Sequence, residues 1–265
     1  MPEGDTVWRA ARSLECELTG KTLISSDFRV PRYALSDLSG GVVLATVSRG
    51  KHLLTRIAHE TGDWTIHSHL KMEGAWRTFP PGAPWRLPEY QARVVLTTED
   101  RVAVGFSLGI LDLIPTAAEE GAVGHLGPDL LGPDWDQDEA LRRLHADPSV
   151  PIGQALLEQR NLAGVGNVFQ SELCFVSGLD PRRPVATVER LPRVVRLAHL
   201  MLDQNKNRRT RTTTGDQRKP LWVYGRVGSP CRRCGTTIVV EELGPVGRER
   251  LTYWCPRCQP PVSGV

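Results

Sequence analysis

Two places in the chain hold residue types whose spacing points to chemistry. The first is Pro2, followed by Glu3. Removal of Met1 leaves a secondary amine at the chain start, and an α-amino group has a reference pKa of about 7.7–8.0. Part of it is unprotonated at neutral pH, so it is a nucleophile without the deep burial that a lysine needs. Attack on a sugar C1′ yields a charged iminium, an electron sink that lets neighbouring C–O bonds break. Glu3 is a carboxyl able to shuttle protons to the opening sugar. Proline is common at position 2 wherever the initiator methionine is cleaved, and Glu begins many helices. The pair therefore gains its weight from the rest of the chain.

The second place is Cys231, Cys234, Cys255 and Cys258, two C-x2-C knuckles with 20 residues between them. Four thiolates so spaced close a tetrahedral zinc site and leave no position for a catalytic water, so one structural zinc is expected. A unit of this size has too little core to fold unaided, and zinc contributes roughly 10–16 kcal/mol in comparable units. Between the knuckles, residues 236–242 and 250–254 alternate as a β-hairpin, and Arg232, Arg233, Arg248, Arg250 and Arg257 make part of it cationic. Cys16 and Cys174 fall outside the spacing and read as buried thiols.

Elements must hold these groups in place. At 265 residues the chain suffices for two ordinary domains, and 33 Lys and Arg against 30 Asp and Glu leave it only mildly basic. The charge is unevenly spread: nine Lys or Arg face two Asp between Asp203 and Gly235. No apolar run reaches the ~18 residues of a membrane span, and no secretory pattern opens the chain, so a cytoplasmic address is expected. In that reducing setting the six cysteines read as ligands or thiols, not disulfides. Val7, Ala11, Leu14 and Leu18 repeat at helical spacing, which would fix the N-terminal amine at the start of a helix. Short runs at 22–30, 41–47, 52–58, 64–70, 92–98 and 102–106 read as strands of an antiparallel β-sandwich or flattened barrel. Ser48-Arg49-Gly50-Lys51 reads as a hairpin tip presenting Lys51. His67 and His69 alternate along a strand and read as half-buried imidazoles without a metal. In the turn that follows, Leu70 or Met72 is either a wedge for a base stack or a core residue under the loop.

Residues 115–125, rich in Ala, Glu and Gly, read as a crossing between domains. Helices are expected at 136–145, 152–159 and 187–202, with one more opened by Gly164-Val165-Gly166-Asn167. The glycine-flanked start exposes N–H groups able to grip a phosphate, and Asn167 adds an amide donor. The basic, Thr-rich stretch 205–219 reads as a mobile surface loop.

Pro2-Glu3-Gly4, the Gly50-Lys51 hairpin, Leu162-Ala163-Gly164-Val165-Gly166-Asn167 and the terminal zinc ribbon stand in one chain and one order. In this the sequence resembles the formamidopyrimidine-DNA glycosylase/endonuclease VIII family of base-excision repair, most closely its bacterial endonuclease VIII branch. The resemblance implies an α+β multidomain protein acting as a monomer on damaged DNA, bacterial and nucleoid-associated. It implies a β-sandwich with an N-terminal helix at 1–115, a linker at 116–124, a helix–two-turn–helix domain at 125–224 and a zinc finger at 225–265, with DNA held between domains. Pro2 becomes the Schiff-base nucleophile, Glu3 the acid/base, Lys51 the essential hairpin lysine, and Asn167 and Arg250 phosphate ligands. Loss of the base is then followed by β,δ-elimination.

Within the family, Gly4, the stretch Val104-Gly105-Phe106-Ser107-Leu108-Gly109 without an Arg-Arg-Phe-Gly, and the short run from Thr214 to Tyr224 favour oxidised pyrimidines. His69-Leu70-Lys71-Met72 instead resembles the methionine wedge of the purine branch, which keeps a formamidopyrimidine/8-oxoguanine glycosylase as an alternative. Asp5-Thr6 departs from the usual Pro-Glu. A zinc-ribbon binder without catalysis is the reading from another class; intact Pro2, Glu3, Lys51 and Arg250 argue against it.

Overall fold

The computed structural model describes residues 2–247 and 249–261; Met1, whose removal is expected, and Arg248 of the cationic ribbon lie outside the described residues. The chain forms two compact units, Met1–His125 and Leu126–Val265.

The first unit opens with α1 (Gly4–Leu18), whose stripe of Val7, Ala11, Leu14 and Leu18 is buried as the spacing requires. Eight strands follow: β1 (Ser25–Phe28), β2 (Val42–Arg49), β3 (His52–His59), β4 (Gly62–His69), β5 (Ala75–Phe79), β6 (Ala92–Thr97), β7 (Val102–Phe106) and β8 (Ile110–Pro115). They form two antiparallel sheets, ordered β1-β6-β7-β5 and β2-β3-β4-β8. One core joins the α1 stripe to Val43, Leu53 and Ile57 of one sheet and Phe28, Val94 and Leu96 of the other. The result is a sandwich, not a barrel. The Glu15 carboxylate accepts the Thr46 N–H of β2 and Arg101 pairs with Glu17, so both faces of the helix are tied down. Cys16, expected to be buried, is instead exposed, because it lies off the apolar stripe.

Strands β5 and β8 have no counterpart among the expected strands. Each ends its sheet and has a single neighbour, β7 and β4 respectively, so its pairing is set by a distant partner more than by its own pattern. Beyond β8, the expected crossing holds a short helix α2 (Glu119–Val123). Arg56 donates to both Glu119 oxygens at 2.8 and 2.7 Å, and Thr65 Oγ1 donates at 2.6 Å, which pins the segment onto β3 and β4.

The second unit contains α3 (Gln137–His145), α4 (Ile152–Leu157), α5 (Asn167–Ser177), α6 (Leu191–Asn205) and the hairpin of β9 (Val239–Leu243) with β10 (Arg250–Trp254). Asp136 caps α3 by accepting the N–H groups of Asp138 and Glu139 at 2.9 and 3.0 Å. Every residue of α5 from Asn167 to Phe175 is buried, and Gly178, at φ 69°, ends it in the left-handed conformation. Burial pushes the Cys174 thiol up to about 12. Leu156, Phe169, Leu173, Val195 and Leu202 centre the helical core.

The stretch 205–219 is less free than expected. The buried Asn205 amide donates to the Met201 and Thr212 carbonyls at 2.7 and 2.9 Å and accepts the Thr212 N–H at 2.7 Å. Its tips are exposed, but its root is fastened to α6.

Candidate functional site

Pro2 and Glu3 stand at the start of α1, and the packing of that helix fixes them. Glu3 has an extended backbone, with φ −126° and ψ −176°, and its carbonyl accepts the N–H groups of Thr6 and Val7 at 2.9 and 3.0 Å. Its side chain makes no cap bond to the helix and is 0% exposed, a carboxyl withdrawn from solvent one residue from a half-buried proline. Gly4 and Asp5 are buried with it. A buried carboxyl is thus held next to Pro2 at the positive end of a helix.

Lys51 occupies the two-residue turn between β2 and β3, closed by the Arg49–His52 pair. Gly50 has φ 58° and Lys51 does not share that sign, the pattern of a type II′ hairpin with glycine at its first central position. After β4 the chain turns at Lys71, a non-glycine residue at φ 51°. That conformation costs on the order of 1–2 kcal/mol and persists where the surroundings enforce it. Here Lys71 N–H donates to His69 Nδ1 at 2.9 Å and Gly74 N–H donates to the Leu70 carbonyl at 2.8 Å. The turn separates the two wedge candidates. Leu70 is 2% exposed and belongs to the sandwich core, so it is withdrawn as a DNA-contacting residue, whereas Met72 is 62% exposed at the tip.

In the second unit the four ribbon cysteines converge, with all their sulfurs within 4.8 Å of one another. Cys231 and Cys258 sulfurs lie 3.9 Å apart, Cys234 and Cys255 sulfurs 3.4 Å. A tetrahedral site with Zn–S bonds of ~2.3 Å has sulfurs about 3.8 Å apart, so this all-thiol donor set fits a structural zinc. Among the described residues no other group of His, Cys, Asp and Glu could hold a metal ion. The finger is seated on α5. Its small core of Val223, Cys231, Ile238 and Cys255 includes Phe175 of that helix, over which Arg233 stacks at 4.5 Å.

Asn167 and Arg250 meet through this seating. Asn167 Nδ2 donates to the carbonyl of Leu251 at 2.8 Å, and its buried Oδ1 has no hydrogen-bond partner among the described residues. The amide read as a phosphate donor thus holds β10 at the residue after Arg250. Arg250 itself is exposed and makes no ion pair among the described residues.

Two constellations escape the sequence reading. Glu172, 0% exposed, accepts the backbone N–H groups of Trp222, Val223 and Tyr224 at 2.8, 2.8 and 2.9 Å and the hydroxyl of Thr213. Its signal was a lone carboxylate inside the apolar run of α5. The other is His67, which contacts His52 at 2.8 Å and Asp112 at 3.4 Å, groups from three different strands.

Three family models match the chain: the formamidopyrimidine-DNA glycosylase N-terminal domain over residues 1–107, its H2TH domain over 126–204, and the zinc finger found in FPG and IleRS over 228–261. The chain is 55% identical to the probable endonuclease 8 2 of Streptomyces coelicolor, covering 98% of this chain and 94% of that protein. It is 53% identical to the DNA-(apurinic or apyrimidinic site) lyase Nei2 of Mycolicibacterium smegmatis, covering 98% and 99%. Among solved structures, Lactococcus lactis Fpg in complex with DNA containing an abasic site superposes with a TM-score of 0.80 at 25% identity, covering 98% of this chain and 100% of that one. With full-length relatives, three matching domain models and the fold in agreement, the chain belongs to the formamidopyrimidine-DNA glycosylase/endonuclease VIII family.

Proposed function

We propose that this chain excises oxidised bases from DNA, pyrimidines in preference, and then cleaves the strand by β,δ-elimination from an N-terminal proline Schiff base. Glycosylase and lyase action in base-excision repair accords with the family and with its relatives. The observation that carries the residue assignment is Glu3, fully buried beside Pro2 at the head of a helix anchored in the core.

In this reading the Pro2 nitrogen bonds to C1′ as the C1′–base bond breaks, and the base leaves with a proton. Glu3 delivers a proton to O4′ as the C1′–O4′ bond opens, and the nitrogen lone pair forms the iminium. The iminium acidifies C2′; loss of a proton there expels the 3′ phosphate, and a second elimination expels the 5′ phosphate. A one-nucleotide gap with phosphates at both ends remains. Lys51, Arg250 and the α5 start around Asn167 grip backbone phosphates, which positions the duplex without reading its sequence. Met72 is the wedge that fills the stack behind an extruded nucleotide. The four-cysteine zinc supplies geometry, not chemistry. Damaged DNA is the partner this requires, and since one chain carries every proposed group, a monomer suffices.

The exposed Met72 tip supports a second reading, action on formamidopyrimidine and 8-oxoguanine. Single-turnover cleavage of matched duplexes carrying an oxidised pyrimidine or 8-oxoguanine separates the two. The pyrimidine duplex is expected to be cut faster, leaving phosphate at both ends. Faster cutting of the 8-oxoguanine duplex would overturn the preference.

A further inference from the structure

His52, His67, His69 and Asp112 occupy one face of the β2-β3-β4-β8 sheet. His52 lies opposite His69 across β3 and β4, and His67 lies opposite Asp112 across β4 and β8. Side chains alternate along a strand, so His67 and His69 share a face, and the cross-strand partners join them there. It is the face away from the sandwich core, because the intervening Leu53 and Ile66 belong to that core.

The contacts on this face form a line. His67 Nδ1 approaches Asp112 Oδ2 at 3.4 Å, and Asp112 also accepts from the Tyr33 hydroxyl at 3.2 Å and from Arg32 at 3.3 Å. His67 Nε2 and His52 Nδ1 are 2.8 Å apart, with the rings stacked at 17°. A carboxylate only accepts, which assigns the Nδ1 proton of His67 to the Asp112 side. His67 Nε2 is then the acceptor, His52 Nδ1 donates to it, and His52 Nε2 is left as a bare nitrogen. His52 directly follows Lys51 of the hairpin turn. The rings of His69 and His125 stand edge-on to His52 at 4.9 and 6.4 Å.

We infer that Asp112, His67 and His52 form a proton relay that couples the binding of a DNA phosphate at the Lys51 turn to the uptake of a proton by His52. The inference rests on the phosphate role of Lys51 proposed above and adds two positioning residues, His67 and Asp112, to it. In the DNA-free protein His52, His67 and His69 are kept neutral. Burial, then the repulsion that charge on His69, His67, His125 and Lys71 would exert, push His52 down to about 3, and burial with Lys71, Lys51 and His67 pushes His69 down to about 4. Burial also lowers His67, against the pull of Asp112 and Glu119. A phosphate seated at this corner offsets the repulsion that a proton on His52 meets from Lys71, and an adjacent opposite charge favours the protonated form by about 1–3 pKa units. The relay adds its own share. A proton gained at His52 Nε2 is stabilised through Nδ1–H···Nε2 of His67 and on to Asp112.

By linkage, a complex that takes up a proton tightens as pH falls, by at most ~10-fold per pH unit for one proton. The test uses the zinc-loaded full chain and a duplex bearing a tetrahydrofuran abasic analogue. Affinity is measured between about pH 4.5 and 7, spanning the range into which a raise of about 1–3 units would bring His52, and calorimetry in two buffers of different ionisation enthalpy counts the protons. The wild type is expected to gain affinity toward low pH with net proton uptake. His52→Gln, which cannot be protonated, and Asp112→Asn, which removes the relay's charge, should each flatten the profile and lower the proton count, with melting curves confirming folding. Equal pH slopes and proton counts in all three proteins would overturn the relay. Lys51→Ala separates the two claims: unchanged affinity in that variant sinks the phosphate role itself, whatever the pH slope.

Discussion

In the proposed reading, Asn167 and Arg250 divide a single task between a buried and an exposed residue. The amide of Asn167 is held against the Leu251 carbonyl, and the neighbouring Arg250 is left on the surface. An exposed guanidinium on a hairpin fixed from beneath is pre-organised for a phosphate oxygen, and one charge-assisted contact of this kind contributes roughly 1.5–3 kcal/mol. Replacing Arg250 with Ala should keep the zinc and the fold, because no described contact of either depends on its side chain. Binding should weaken on every duplex alike, and the slope of log affinity against log salt should shrink by about 0.9. Titration over a salt series, with zinc content measured in parallel, checks this. An unchanged slope with an altered lesion preference would give Arg250 a base-reading role in place of a phosphate grip.

Among the elements, α5 carries the greatest share of the second unit. It closes the helical core with Phe169 and Leu173, seats the zinc ribbon through Asn167 and Phe175, and gathers the 213–224 segment onto Glu172. Glu172→Ala would strand three backbone N–H groups, and an unmade buried hydrogen bond costs about 1–3 kcal/mol, so a loss on the order of 3 kcal/mol is expected. Limited proteolysis should then cut first between Thr213 and Tyr224 while zinc is retained. Wild-type melting and resistance would show that the segment is held by other contacts. The elements visible in the sequence are those whose signals are local. The α1 stripe, the glycine turn before Lys51, the short helix at 136–145, the glycine-flanked start of α5 and the paired cysteine knuckles each need only a few neighbouring residues. What escaped depends on distant partners. Edge strands β5 and β8 are defined by one neighbour each, Glu172 by donors about fifty positions away, and the His52–His67–Asp112 line by register across three strands. The choice between Leu70 and Met72 also lay beyond sequence, because it turns on which side of the Lys71 turn faces the core.

For the molecule as a whole, the proposed chemistry belongs to the first unit, with Pro2, Glu3 and Lys51, while in the second the phosphate grip is proposed for Arg250 on the hairpin that Asn167 holds. The proposed function turns on one covalent event, attack by a terminal secondary amine. A protein verified by mass to begin at Pro2 is compared with one carrying an N-terminal extension, each incubated with abasic-site DNA and borohydride, and DNA binding is measured alongside. The protein beginning at Pro2 is expected to form a borohydride-stable adduct with the DNA, and the extended protein to bind DNA without forming one, because its proline nitrogen is an amide. Full trapping by the extended protein would place the nucleophile elsewhere in the chain and contradict the account.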